Sequence, residues 1–308
     1  MPRPTKEIIT MPTGSPVDGF RLTYDRHGSP TPGRPTVVLL HGWPGDRTDH
    51  DAVAARLADR FDVLVPDLRG FGESDKHHED PATSYDPGAQ ARSVAGLADE
   101  LGLTDLVVAG YDVGSRVGQR LGRDRPDLVR ALVVSPPAPG VGQRILSKDP
   151  MREFWYQAFH QLDLAEELVD GSTSAARAYV KHFWSHWSGP DFTPDDDRLD
   201  HLASVYGPRG AFVASIGWYR AGGGMVANSL AEQTPDPADR LAVPTTFVWP
   251  EHDPLFPREW SDRLDEFFSD VELVPVDGVG HFVPVEAPEE FAAAVTRVAD
   301  LHSAAGGS

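Results

Sequence analysis

The chain has 308 residues, 40% of them hydrophobic, which is enough for one packed α/β core carrying an inserted subdomain. It contains no cysteine, which excludes disulfides, thiolate zinc sites and a cysteine nucleophile together. Its 47 acidic and 28 basic residues give a formal charge of -19, a field that repels nucleic acid and anionic membrane surfaces and leaves a small neutral molecule as the easier partner.

No apolar run approaches the roughly 20 residues that span a bilayer, and Met1 to Thr10 lacks an apolar signal core. A soluble, cytoplasmic protein is expected. An antiparallel opening hairpin is expected from Glu7 to Thr10 and Phe20 to Tyr24. Short β-branched runs then follow at Thr36 to Leu40, Phe61 to Pro66, Leu106 to Ala109 and Ala131 to Val134. Between them lie helical spacings at Ala52 to Asp59, Ala89 to Leu101 and Val117 to Arg123. This alternation predicts an α/β fold with a doubly wound, mostly parallel sheet and right-handed crossovers.

From about Pro136 to Pro237 the chain is rich in aromatics and helical spacing but has no convincing strand. Prolines 136, 137, 139, 235 and 237 mark its edges. The expected organisation is therefore a core from residues 1–136 and 237–308, with a helical cap from residues 137–236 inserted between two sheet strands. Strands resume at Thr245 to Trp249 and Val271 to Val276, and the small polar stretch Ser303 to Ser308 reads as a frayed tail.

The central chemical signal is Gly110-Tyr111-Asp112-Val113-Gly114, between a strand and a helical segment. A nucleophile elbow needs this context, with small residues flanking a side chain held up on a strained turn, and here the apex is aspartate rather than serine. Asp253 follows the next-to-last predicted strand and His281 follows the last. The order nucleophile, acid, histidine places all three at carboxyl ends of strands, where open α/β sheets bind ligands. His41-Gly42-Trp43-Pro44 follows Thr36 to Leu40, and the backbone N–H groups of Trp43 and Val113 are expected to converge as an oxyanion hole, with Pro44 fixing the turn. Asp67 to Ser74 reads as structural.

An aspartate at this apex implies a substrate with an electrophilic saturated carbon. Serine attack on such a carbon would leave an ether, whereas carboxylate attack leaves an ester whose carbonyl water can reach. Epoxides and carbon–halogen bonds are the two candidates.

These motifs, running from His41 to His281, resemble the α/β-hydrolase superfamily and within it the soluble epoxide hydrolases. The resemblance implies hydrolysis of an epoxide by water to a vicinal diol, without metal or cofactor, with two cap tyrosines as proton donors. Phe154-Trp155-Tyr156-Gln157-Ala158-Phe159 resembles the segment carrying the first, and Gly217-Trp218-Tyr219-Arg220 the segment carrying the second. His41, Trp155, Phe159, Trp184 and Trp218 are the expected pocket lining.

Two other readings stay open. A haloalkane or haloacid dehalogenase would use the same aspartate, but the halide-binding positions of haloalkane dehalogenases hold Trp43 and Val113 here. Arg116 resembles fluoroacetate dehalogenases, yet Val113 stands where they carry a further arginine. A non-catalytic small-molecule-binding protein on the same scaffold would have no need of Asp112, Asp253 and His281 together. His182 and His186 have a spacing that could present two imidazoles to a metal, but no glutamate accompanies them as in a zinc protease helix, and they read as cap surface or pocket lining.

Overall fold

The computed structural model describes residues 12–303, so Glu7 to Thr10 of the expected hairpin and the tail beyond Ser303 lie outside the described residues. Seven strands form one sheet: β1 (Tyr24–His27), β2 (Thr36–Leu40), β3 (Asp62–Pro66), β4 (Leu106–Gly110), β5 (Val129–Val134), β6 (Thr245–Pro250) and β7 (Val271–Val276), in the order β1-β3-β2-β4-β5-β6-β7. All pairings are parallel except that of β1 with β3. Within the described residues the opening segment makes antiparallel contacts. Thr13 bridges Thr23 and Val17 bridges Phe20, while the strand itself starts at Tyr24 and pairs along the β3 edge.

The continuous apolar runs have a simple cause: both faces of the inner strands are covered. Val38, Leu40, Val108, Leu132 and Val134 point into one core with the helices Pro87–Glu100 and Val113–Asp124. Val37, Leu39, Val107, Ala109 and Val133 alternate into the other, against Asp51–Leu57 and Pro288–Ser303. Strand β7 is one edge of the sheet, opposite β1, and its exposed Glu272 and Leu273 fit that place.

Between β5 and β6 the described chain is helical and has no strand. Its longer helices are Thr173–Trp187, Asp196–Tyr206 and Ala211–Arg220, with shorter ones including Lys148–Glu153, Trp155–Phe159 and Met225–Ala231. This layer is tied to the loop after β2 by four hydrogen bonds. Trp184 Nε1 donates to Pro44 O at 2.9 Å, Tyr206 Oη to Gly45 O at 2.7 Å and Arg198 Nη1 to Asp49 at 2.7 Å, while His201 Nε2 meets Asp46 at 2.7 Å. No helix among the described residues is long and apolar enough to cross a membrane.

Candidate active site

Strand β4 delivers Asp112 on a tight bend where the chain turns into the helix Val113–Asp124. Its φ of 48° is rare for a side chain with a Cβ, and a non-glycine residue held there costs about 1–3 kcal/mol. The flanking glycines allow the bend. A Cβ on Gly114 would sit 2.1 Å from Leu40 O, and one on Gly110 would sit 2.6 Å from the same atom. The carboxylate faces two backbone donors, with the Trp43 N–H giving a 2.8 Å bond to Oδ2 and the Val113 N–H also bonding the group. Trp43 is presented by the loop after β2, where the Trp43–Pro44 peptide is cis.

Asp253 and His281 come from the loops after β6 and β7 and are buried. Asp253 Oδ1 accepts from the Leu255 N–H at 2.8 Å, which leaves Oδ2 to meet His281 Nδ1 at 2.8 Å. The other ring nitrogen, Nε2, faces Asp112 Oδ1 at 4.0 Å and has no hydrogen bond among the described residues. The His281 backbone is held from both sides. Its N–H donates to Trp187 O in the helical layer, and Glu286 accepts from the N–H groups of Gly189, Gly280 and Phe282. Nothing in the sequence spacing around Glu286 marks it as a carboxylate that binds backbone.

Electrostatics follow from burial and pairing. Burial pushes the Asp112 carboxyl upward, opposed by His281 and by the two backbone donors, and the net effect is a raised pKa. For His281 burial works against the charged ring, but Asp253, Asp112 and Glu286 outweigh it and the pKa is raised.

The helical layer closes over this centre with aromatics. Tyr156 stacks on Trp43 at 5.5 Å between centroids, and Tyr219 meets both Trp43 and Tyr156 edge-on at 5.7 and 5.5 Å. Both tyrosines line a tight cavity of about 10 Å³ together with Asp112, Val113, Arg116, Phe154, Gln157, Trp218, Met225 and Phe256. Across a wall shared by Phe154, Gln157, Tyr219 and Gly224 lies a second cleft of about 390 Å³, with Met151, Trp155, Ala158, Val226 and Ala227 on its far side.

Of the expected pocket residues, only Trp218 lines the cavity beside Asp112. His41 is buried, and its Nε2 accepts from the Leu68 N–H at 3.0 Å, so it braces the loop after β3. Trp184 lies flat on Phe282 at 3.7 Å and donates to Pro44 O, a packing role between layer and core. Trp155 is 43% exposed and lines the outer cleft, while Phe159 packs against Trp155 and Tyr179. His186 pairs with Glu153 at 2.6 Å, and among the described residues no three His, Cys, Asp or Glu side chains cluster as a metal site. Gln157, Met225 and Phe256 line the cavity without having stood out in the sequence; Gln157 was legible only as part of the Tyr156 segment.

A family model for the α/β hydrolase fold matches residues 35–288, and the chain belongs to that family. It is similar to the soluble epoxide hydrolase of Corynebacterium sp. (strain C12), 29% identical over 89% of this chain and 91% of the relative. Epoxide hydrolase A of Mycobacterium tuberculosis (strain ATCC 25618 / H37Rv) is 28% identical over 96% and 97%, and haloalkane dehalogenase 2 of Mycobacterium bovis (strain ATCC BAA-935 / AF2122/97) is 25% identical over 85% and 86%. Among solved structures, the epoxide hydrolase CorEH without ligand superposes with a TM-score of 0.79 at 26% identity, covering 94% of this chain and 98% of that one.

Proposed function

We propose that this protein is an epoxide hydrolase that opens its substrate on Asp112 and releases a vicinal diol through a covalent ester. The observation that carries the reading is that a carboxylate at the bend after β4 shares one cavity with two phenols, Tyr156 and Tyr219. A carboxylate suits attack on saturated carbon, and the phenols suit a leaving oxygen that must gain a proton. Val113 offers no side-chain N–H that could cradle a halide instead.

In this mechanism Oδ1, free of the Trp43 bond, attacks one epoxide carbon. The C–O bond breaks, and the departing oxygen takes a proton from the tyrosine pair. Oδ2, held by the Trp43 N–H, becomes the ester carbonyl oxygen. His281 Nε2 then takes a proton from water as that water attacks the ester carbon, with Asp253 fixing the ring's tautomer through Nδ1. Negative charge gathers on Oδ2 under the Trp43 and Val113 N–H groups. The ester C–O bond breaks, and the departing oxygen takes the proton of the new acid group and leaves as the second hydroxyl of the diol. The water oxygen stays in the Asp112 carboxylate, and the His281 proton returns to the phenolate.

Residues 137–236 serve here as a cap that shields the ester from bulk water. The Asp112 cavity admits little more than a single water-sized sphere, so the cap must yield for a substrate to enter. The cleft behind Gln157 and Tyr219 suits the substrate's non-reacting apolar part. The reading is tested by incubating wild-type protein with styrene oxide and a panel of alkyl epoxides while following diol, with halide release from haloalkanes and fluoroacetate in parallel. Diol without halide supports it; halide release without diol would transfer the same nucleophile to a dehalogenase.

A further inference from the structure

Two phenols face one leaving oxygen, and their surroundings are not equivalent. Gln157, next to Tyr156, is buried, and its carboxamide orientation is fixed by its neighbours. The Val226 backbone N–H, which can only donate, meets Oε1 at 3.0 Å. Nε2 therefore faces the Tyr156 hydroxyl, at 3.1 Å, and must donate to it. Gly224 makes room for this arrangement, since a Cβ there would lie 2.7 Å from Gln157 Oε1. The Tyr219 hydroxyl also bonds that of Tyr156, whereas the amide held near Tyr219 is that of Gln161, whose Nε2 donates at 2.8 Å to the Tyr219 carbonyl rather than to its phenol.

We infer that Gln157 is a positioning residue that makes Tyr156, rather than Tyr219, the proton donor to the opening ring. This rests on the epoxide reading above. The Gln157 N–H occupies a lone pair of the Tyr156 oxygen, so the phenolic hydrogen is turned away from Gln157 and toward the cavity. As the ring opens, the carbon–oxygen bond breaks, the O–H proton passes to the departing oxygen, and Tyr156 becomes a phenolate. Gln157 stabilises that charge by a hydrogen bond that strengthens as the charge forms. Burial raises the pKa of both phenols and the charge on Asp112 adds to it, while at Tyr156 the hydrogen bonds with Gln157 and Tyr219 work against that rise. Tyr219 holds the same Tyr156 oxygen from the side, and the phenolate regains its proton in the second step, from the proton that His281 takes from water.

The near-isosteric Gln157→Glu tests the direction of the bond. An ionised carboxylate can still accept from the Val226 N–H but would accept the Tyr156 hydrogen as well, pulling it away from the epoxide. Ester formation is read by rapid mixing with styrene oxide followed by mass analysis of Asp112, in a His281→Gln background where the ester persists. At pH 8, Q157E is expected to slow ester formation about tenfold or more, as loss of one hydrogen bond to a developing charge implies. The rate is expected to recover as the introduced carboxyl is protonated at lower pH. Gln157→Leu, which cannot donate at any pH, should be slow without recovery. In a Tyr156→Phe background neither change should cost more, while in Tyr219→Phe both should. Thermal unfolding separates these effects from misfolding. An unchanged Q157E rate at pH 8, or an equal loss with and without Tyr156, would overturn the inference while wild-type diol formation leaves the epoxide reading standing. A wild-type protein that makes neither diol nor ester would remove both.

Discussion

The loops at the carboxyl ends of β2, β4, β6 and β7 and the helical layer above them hold their side chains in different ways. In the loops, backbone geometry does the fixing: the positive φ at Asp112, the Leu255 and Trp43 N–H bonds to carboxylates, and the Gly280 and Phe282 N–H groups gathered on Glu286. In the layer, Tyr156 and Tyr219 are fixed by aromatic packing around Trp43 and by one amide. Backbone constraints are local and leave a rigid constellation. Packing constraints are shared among many partners, which suits a surface that must part for a substrate and close again.

Changes in the loops should therefore abolish single steps, and changes in the layer should tune them. The largest effect is expected from Asp112→Ala, with turnover lost to background and no ester on the protein by mass spectrometry. Next, His281→Gln should keep ester formation but slow its hydrolysis by about 10² to 10⁴, the usual worth of a general base, seen as a burst of one equivalent and then a stall. A stall without ester would break the division of labour between Asp112 and His281.

The pH dependence sharpens the same contrast. Burial disfavours the His281 imidazolium, but the charges around it win and raise the pKa, so the neutral ring that the proposed mechanism needs predominates only at pH above that raised value. Turnover should fall on the acid side of it. Asp253→Asn removes a strong raising partner, so the acid limb should move to lower pH while the plateau rate drops. A limb that moves upward would contradict the assignment.

Smaller effects belong to the contacts between layer and core. Arg198→Ala removes the ion partner of the buried Asp49 carboxylate and leaves it the Tyr111 hydroxyl, at a cost of about 3 kcal/mol at pH 8. Burial, outweighing Arg198, already pushes the Asp49 pKa up to about 6, so at pH 5 the group takes a proton instead and the loss should shrink. Chemical denaturation at the two pH values measures this. His201→Gln should have the least effect. Its hydrogen bond to Asp46 raises the His201 pKa, so the pair's contribution is present below the ordinary histidine value and is lost as pH rises through the raised one. The Tm difference from wild type should be visible at pH 6 and vanish at high pH.

How much was legible in the sequence follows the same division. The bend around Asp112 shows itself because the glycines it requires are adjacent in the chain, and Asp253 and His281 stand out because each directly follows a β-branched run. Parallel strands β2 to β6 are legible because burial on both faces writes unbroken apolar runs. Inside the helical segment, aromatic content signals burial but not which cavity a ring faces. Trp184 packs on Phe282 and Trp155 faces outward, although their residue type is that of Trp218, which lines the cavity. Gln157, Glu286 and the Arg198–Asp49 pair carry no local signature: the Val226 N–H that orients Gln157 lies 69 residues away, Arg198 and Asp49 stand 149 apart, and Glu286 binds backbone atoms.

The most direct measurement is a single turnover in ¹⁸O-labelled water, with enzyme in excess over epoxide, followed by mass analysis of the peptide containing Asp112 and of the diol. Passage through the ester predicts label in the Asp112 carboxylate and unlabelled diol. Label in the diol beside an unlabelled Asp112 would mean that water attacks the epoxide directly, and the nucleophilic role of this aspartate would fall.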